Sequence, residues 1–167
     1  MNETGFDQWN YLASYDDLIS AFGSNTSSAL NHYVNHGQSE GRAPDSFDEW
    51  SYLASYDDLI SAFGSNTAAA TQHYVNNGYS EGRSKDSFDE WSYLASYGDL
   101  IAAFGSNTSA ATQHYVNNGY SEGRSTDVFD AERYLSLYSD LQAAFGSDTA
   151  AATRHYVING YNEGRVI

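Results

Sequence analysis

Residues 47–83 read FDEWSYLASYDDLISAFGSNTAAATQHYVNNGYSEGR, and close variants of this stretch occur three more times in the chain. A phenylalanine opens each copy at a constant interval of 41 residues: Phe6, Phe47, Phe88 and Phe129. A fixed period of roughly 20 to 50 residues is the signature of a repeat array. The sequence therefore predicts one repeat domain, 1–167, with repeats at 6–46, 47–87, 88–128 and 129–167.

The first half of the repeat predicts an amphipathic helix. Asp48 is a favourable N-cap residue, and Phe47 before it can pack onto Tyr52 as a hydrophobic staple. Apolar residues then recur at spacings of three and four as far as Phe63, which defines one helical face. Gly64 follows directly and suits the position after a helix end.

The second half predicts another helix, capped by residues 65–67 and ended by Gly78. His73 and Tyr74 mark its buried side, and no strand-like alternation competes with this pattern. Each repeat is therefore predicted to be a helical hairpin. The predicted fold is all-α, a short α-solenoid of four stacked 41-residue hairpins in which each unit contacts its neighbours.

The outer copies differ from the others at positions predicted to contact a neighbour. In the last copy Glu132 replaces a tryptophan and Gln142 an isoleucine, and in the first copy Gln38 replaces a tyrosine and Ser28 an alanine. Terminal repeats need polar outer faces. These replacements predict a finite, complete array, whereas chain ends so close to repeat boundaries also fit a piece of a longer protein.

The composition limits the classes of partner. The net charge is −15, from 22 acidic and 7 basic residues. Nucleic-acid binding depends on Lys and Arg neutralising phosphates, and anionic membranes attract basic segments, so neither is predicted as a partner. There is no cysteine, which excludes disulfides and thiolate sites. Apolar runs are far shorter than a membrane span requires, and no signal peptide is visible.

A histidine followed by tyrosine recurs in each copy: His32, His73, His114 and His155. Single imidazoles make poor metal sites, because first-row metals prefer three or four converging ligands. The favoured interpretation is a structural histidine that is hydrogen-bonded where repeats meet. His32 and His36 in the first copy lie four residues apart on a helix and are a candidate ligand pair for one metal.

An aspartate recurs inside the first predicted helix of each copy: Asp17, Asp58, Asp99 and Asp140. Aspartate is a mediocre residue in a helix interior, so its repetition requires a partner. One interpretation is Ca²⁺, which binds carboxylate and carbonyl oxygens. The other is an ion pair with the arginine that ends each copy: Arg42, Arg83, Arg124 and Arg165. In the Glu-Gly-Arg ending, the glycine is predicted to supply a positive φ.

Fifteen tyrosines and three tryptophans offer the most plausible binding surface. Flanked by Asn and Asp, such rings suit sugars through stacking and hydrogen bonds. Those on the helical stripe, represented by Tyr52, Tyr56 and Tyr74, are predicted to be core. The ligand-binding candidates are the tyrosines that follow the second helix: Tyr79, Tyr120 and Tyr161.

No catalytic site is predicted. No serine, cysteine or histidine stands in a recognisable triad arrangement, and the glycine-rich nucleotide-binding motifs are absent.

The whole unit, F-D-x-x-x-Y-L-x-x-Y-x-D-L through H-Y-x-x-x-G-x-x-E-G-R, resembles a bacterial tandem repeat family. Such repeats are found beside glycosyltransferase domains and in exported calcium-binding repeat proteins. The resemblance implies an accessory module at or beyond the cell surface, without catalytic residues of its own.

We therefore predict a non-enzymatic helical-repeat binding or assembly module that recognises a glycan or a protein. It is expected outside the cell or on its surface, without an obligatory cofactor. The alternative is a calcium-dependent structural protein in which the repeated aspartates hold Ca²⁺ between hairpins.

Overall fold

A computed structural model describes residues 6–167. Over this range the chain forms twelve short α-helices and four π-helical turns, and no strand. The four copies have the same element order, so the predicted all-α repeat fold is confirmed. None of the helices in this range is both long and apolar enough to cross a bilayer.

Each repeat contains three α-helices and one π-helical turn. The first copy has α1 Gln8–Ser14, α2 Asp16–Phe22, α3 Thr26–His32 and π1 Tyr33–Gly37. The second has α4 Glu49–Ala54, α5 Asp57–Phe63, α6 Thr67–His73 and π2 Tyr74–Gly78. The third has α7 Glu90–Ser96, α8 Gly98–Phe104, α9 Thr108–His114 and π3 Tyr115–Gly119. The fourth has α10 Ala131–Leu137, α11 Ser139–Phe145, α12 Thr149–His155 and π4 Tyr156–Gly160.

The first arm of the predicted hairpin is two helices rather than one. Tyr56 separates α4 from α5 with an extended backbone, at φ −143° and ψ 110°. Its hydroxyl accepts a hydrogen bond from the amide of Ser84 at 2.7 Å, so the ring is held by the segment that closes the repeat. Tyr56 is half-buried, so the prediction that it lies in the core is wrong.

The core of each repeat is built around one tyrosine on its first helix. Tyr52 is 0% exposed and lies 5.6 Å, between ring centroids, from Phe47. Leu53, Leu59 and Ala70 are buried with it. The N-caps predicted at Asp48 and in residues 65–67 are present, because Asp48 accepts from the amide of Ser51 and Asn66 from that of Ala69.

The chain divides into two compact units between Ser87 and Phe88, which is the predicted boundary between the second and third repeats. In the first unit α1 packs on α6 and π2, and in the second α7 packs on α12 and π4. Within each unit, the first helix of one repeat thus covers the last helix of the next, as predicted for stacked repeats. That the whole of 1–167 is a single domain stays a prediction.

The polar replacements in the outer copies lie on the surface. Gln38, Glu132 and Gln142 are exposed, and Ser28 is half-buried. The first copy also leaves apolar surface uncovered: Val34 is 58% exposed, whereas Val75, its equivalent under α1, is 5% exposed. Within residues 6–87, the surface around Val34 is therefore not covered in the way that α1 covers Val75.

Candidate functional site

Each repeat closes with an arginine that joins two acidic side chains. In the second copy, Arg83 donates to both carboxylate oxygens of Asp58, at 3.0 and 2.8 Å, and through Nε to Glu81 at 2.6 Å. Its guanidinium carbon lies 4.8 Å from the ring centroid of Tyr56. The same bidentate pair occurs in the other copies as Arg42 with Asp17, Arg124 with Asp99 and Arg165 with Asp140.

The predicted ion pair between each repeated aspartate and the arginine of the Glu-Gly-Arg ending is present in all four copies, and Ca²⁺ binding at these aspartates stays a prediction. Hydrogen bonds from Arg83 hold the pKa of Asp58 below its usual range, so the carboxylate stays charged. Gly82 has the predicted positive φ, at 71°. A Ca²⁺ ion at Asp58 would compete with the guanidinium for the same carboxylate oxygens. Over residues 6–167 no three His, Cys, Asp or Glu side chains converge on a common point suited to a metal.

The recurrent histidines bond to the buried core tyrosines. The hydroxyl of Tyr52 lies 3.0 Å from Nδ1 of His73, and the same bond joins Tyr11 to His32, Tyr93 to His114 and Tyr134 to His155. The predicted hydrogen bond is thus present, but it lies within one repeat rather than where two repeats meet. The reason is that the first and third helices of each repeat pack face to face.

The tyrosines predicted to bind a ligand are all half-buried, and two of them contribute to packing between repeats of one unit. The hydroxyls of Tyr79 and Ser20 lie 2.7 Å apart. The ring of Tyr161 lies so close to Gly98 that a Cβ there would be 2.9 Å from it. These rings present only part of their surface to solvent, and ligand binding by Tyr79, Tyr120 and Tyr161 stays a prediction.

A groove on the first repeat was not predicted from the sequence. Its volume is about 270 Å³, and its lining combines one aromatic ring with amide, hydroxyl and imidazole groups: Phe22, Ser28, Asn31, His32, Asn35 and His36. A second groove, in the unit that starts at Phe88, has a volume of about 330 Å³. Its lining includes four acidic residues: Asp89, Asp127, Asp130 and Glu132.

The single lysine joins the two repeats of the first unit. The ammonium of Lys85 lies 2.9 Å from Asp16, donates to the carbonyl of Ser14 at 3.1 Å and sits 5.4 Å from the centroid of the Tyr74 ring. Because the other copies lack a lysine at this position, the repeat pattern alone gave no signal for this contact.

No family model, curated protein or solved structure matches this chain.

Proposed function

We propose that this chain is a non-enzymatic helical-repeat module for binding or assembly, with a glycan as its first candidate partner. One observation carries the proposal. The recurrent side chains that are capable of chemistry already have partners within the chain, since each of the four repeated aspartates is paired with an arginine and each recurrent histidine with a buried tyrosine. Recurrent residues with such roles maintain a scaffold.

The groove on the first repeat supports a glycan as the partner. Binding sites for small ligands combine apolar or aromatic walls with a few polar groups that fix orientation. Phe22 offers a half-exposed ring, and Asn31 and Asn35 offer amide groups beside it. The exposed edges of Tyr79 and its equivalents would each add a weak contact with a glycan, and several weak contacts together increase the overall affinity.

A protein partner is the second candidate, because the first repeat exposes a valine that is buried in the second repeat. Val34 is exposed where Val75 is covered by the preceding repeat, so a partner helix could bind there as α1 binds π2. By its resemblance to repeats of exported bacterial proteins, the module belongs outside the cell or at its surface.

The experiment is a thermal-shift and calorimetry screen of the protein against a glycan panel, with separate Ca²⁺ and EDTA arms. A ligand that binds only the folded state raises the melting temperature. The expected result is a shift with one glycan class that Phe22→Ala abolishes. Phe145→Ala is the matched control, since Phe145 is the equivalent residue of the fourth copy.

The other outcomes are equally informative. A glycan shift that Phe22→Ala leaves unchanged, while Tyr79→Phe removes it, would move the site to the tyrosines. A shift with Ca²⁺ that EDTA reverses would favour the calcium-dependent structural alternative. The absence of any shift would contradict glycan binding and leave the face around Val34 as the surface to test with protein partners.

A further inference from the structure

The first repeat alone carries two imidazoles one helical turn apart. His32 is the last residue of α3, and His36 follows in π1. Residues four apart lie on the same face of a helix, and the two ring centroids are 5.8 Å apart. Both rings line the groove of the first repeat. The other copies keep the first histidine but have asparagine at the second position: Asn77, Asn118 and Asn159.

We propose that His32 and His36 together bind one divalent cation of the class that prefers imidazole, with Zn²⁺ and Cu²⁺ as its representatives. Imidazole nitrogen suits these ions better than it suits Mg²⁺ or Ca²⁺. A zinc ion about 2.0–2.1 Å from each nitrogen places the ring centroids roughly 5 Å apart at a tetrahedral angle. The observed separation is close to this, and His36 is exposed, so rotation of its side chain can close the remaining gap.

The hydrogen bond between His32 and Tyr11 prepares one of the two ligands. The hydroxyl of Tyr11 lies 3.0 Å from Nδ1 of His32, and Tyr11 is fully buried, so this nitrogen is held at a fixed point. Nε2 is then the nitrogen left for the metal. A histidine that binds a metal through one nitrogen usually donates a hydrogen bond through the other, which fixes the orientation of the ring. In the bound state Nδ1 carries the proton and donates it to the hydroxyl oxygen of Tyr11.

The site supplies two protein ligands and leaves the other positions to water or to donor atoms of a partner. Among residues 6–167, no group of three His, Cys, Asp or Glu side chains could hold a metal ion. No lysine or arginine lines the groove. The net charge of −15 also raises the local concentration of cations. The binding is therefore expected to be weaker than at three-ligand sites but specific to the first repeat.

The test is isothermal titration calorimetry with ZnCl₂ and, separately, CuCl₂, in a large excess of Mg²⁺. The magnesium occupies carboxylates, because it prefers oxygen ligands. The native chain is expected to bind one equivalent. His36→Asn gives the first copy the residue of the other copies and is expected to weaken binding at least about tenfold, because a single imidazole remains.

Asn77→His is the matched gain-of-site variant. Asn77 is exposed, and His73 before it has the same bond to a buried tyrosine. This variant is expected to bind two equivalents. Circular dichroism should show unchanged helix content in both variants, since both positions are on the surface. The proposal is overturned if neither metal binds the native chain, if His36→Asn binds as tightly as the native chain, or if Asn77→His still binds one equivalent.

Discussion

The hydroxyl of Tyr52 lies against the α-carbon of Gly78, so closely that a Cβ on Gly78 would collide with it. The equivalent glycines meet the equivalent tyrosines in the other three copies: Gly37 with Tyr11, Gly119 with Tyr93 and Gly160 with Tyr134. The same hydroxyl bonds to His73. Gly78 ends the π-helical turn without a positive φ, so the glycine is required by close packing rather than by backbone conformation.

Gly78→Ala is therefore expected to destabilise the protein by about 1–3 kcal/mol, the usual range for an overpacked core. The measurement is urea-induced unfolding followed by circular dichroism. Tyr52→Phe in the same chain removes the atom nearest to the new methyl group, so the double variant should lose less stability than the two single losses combined. Asn77→Ala is the control on the exposed side of the same turn, and equal stability of Gly78→Ala and Asn77→Ala would refute the packing argument.

Acid should weaken the ion pair that closes each repeat. The pKa of Asp58 is lowered by hydrogen bonds from Arg83, so the folded state binds this proton less readily than the unfolded state. The resulting stability is present above the ordinary aspartate pKa, near 3.8, and is lost as the pH falls through the lower folded value. The Asp58 side chain is 62% exposed, so solvent screening limits the effect to about 1 kcal/mol or less.

The expected observation is that Asp58→Asn is less stable than the native chain at pH 7 and that the two stability curves converge as the pH is lowered below about 4. Chemical unfolding at a series of pH values measures both curves. Arg83→Gln should converge with the native chain in the same way, because it removes the partner. Parallel curves down to pH 3 would contradict a lowered pKa at Asp58.

The repeat pattern predicts the fold class because the residues that cap the helices and form their apolar faces recur in all four copies. Asp48, Gly64 and Gly82 do what local chemistry predicts for a cap, a helix end and a turn. The sequence does not indicate the break at Tyr56, since a tyrosine on the apolar face continues the helical pattern. The hydrogen bond that holds Tyr56 at this break comes from Ser84, 28 residues later in the chain. Periodicity within one helix carries no information about such a distant contact.

The candidate sites are less predictable than the fold, because the groove and the His32–His36 pair depend on features of the first copy alone. The ion pairs and the Tyr–His bonds recur, so sequence identified their members, although it assigned the histidines to contacts between repeats. The groove of the first repeat depends on the packing of α2 beside α3, which sequence spacing does not reveal. His36 is visible in the sequence as a departure from the repeat, but the distance between its ring and that of His32 is given only by the structure.

Equivalent valines in the two repeats of the first unit should differ in their contribution to stability. Val75 is buried beneath α1, whereas Val34 is exposed. Val75→Ala removes two buried methyl groups and is expected to cost roughly 2 kcal/mol. Val34→Ala should change stability by less than about 0.5 kcal/mol, as expected for a surface position. Urea unfolding of both variants tests the stacking directly, and equal losses would show that α1 does not cover π2.

Lys85 should stabilise the first unit through charge. Its ammonium contacts Asp16 and the carbonyl of Ser14 and lies over the ring of Tyr74. Lys85→Thr, which installs the residue found at this position in the third copy, is expected to cost about 1 kcal/mol at low ionic strength. Added salt screens a partly exposed ion pair, so the difference between the native chain and the variant should shrink as NaCl is raised.

Urea unfolding of the native chain and Lys85→Thr at low and high NaCl measures this change. Lys85→Arg is the informative companion, because it keeps the charge but replaces a compact ammonium by a planar fork. If the contact with Asp16 is mainly coulombic, the stability of Lys85→Arg should respond to NaCl much as the stability of the native chain does. The stability of Lys85→Thr should lack this response. A stability difference for Lys85→Thr that is the same at both salt concentrations would instead mean that Lys85 acts through packing of its aliphatic chain against Tyr74.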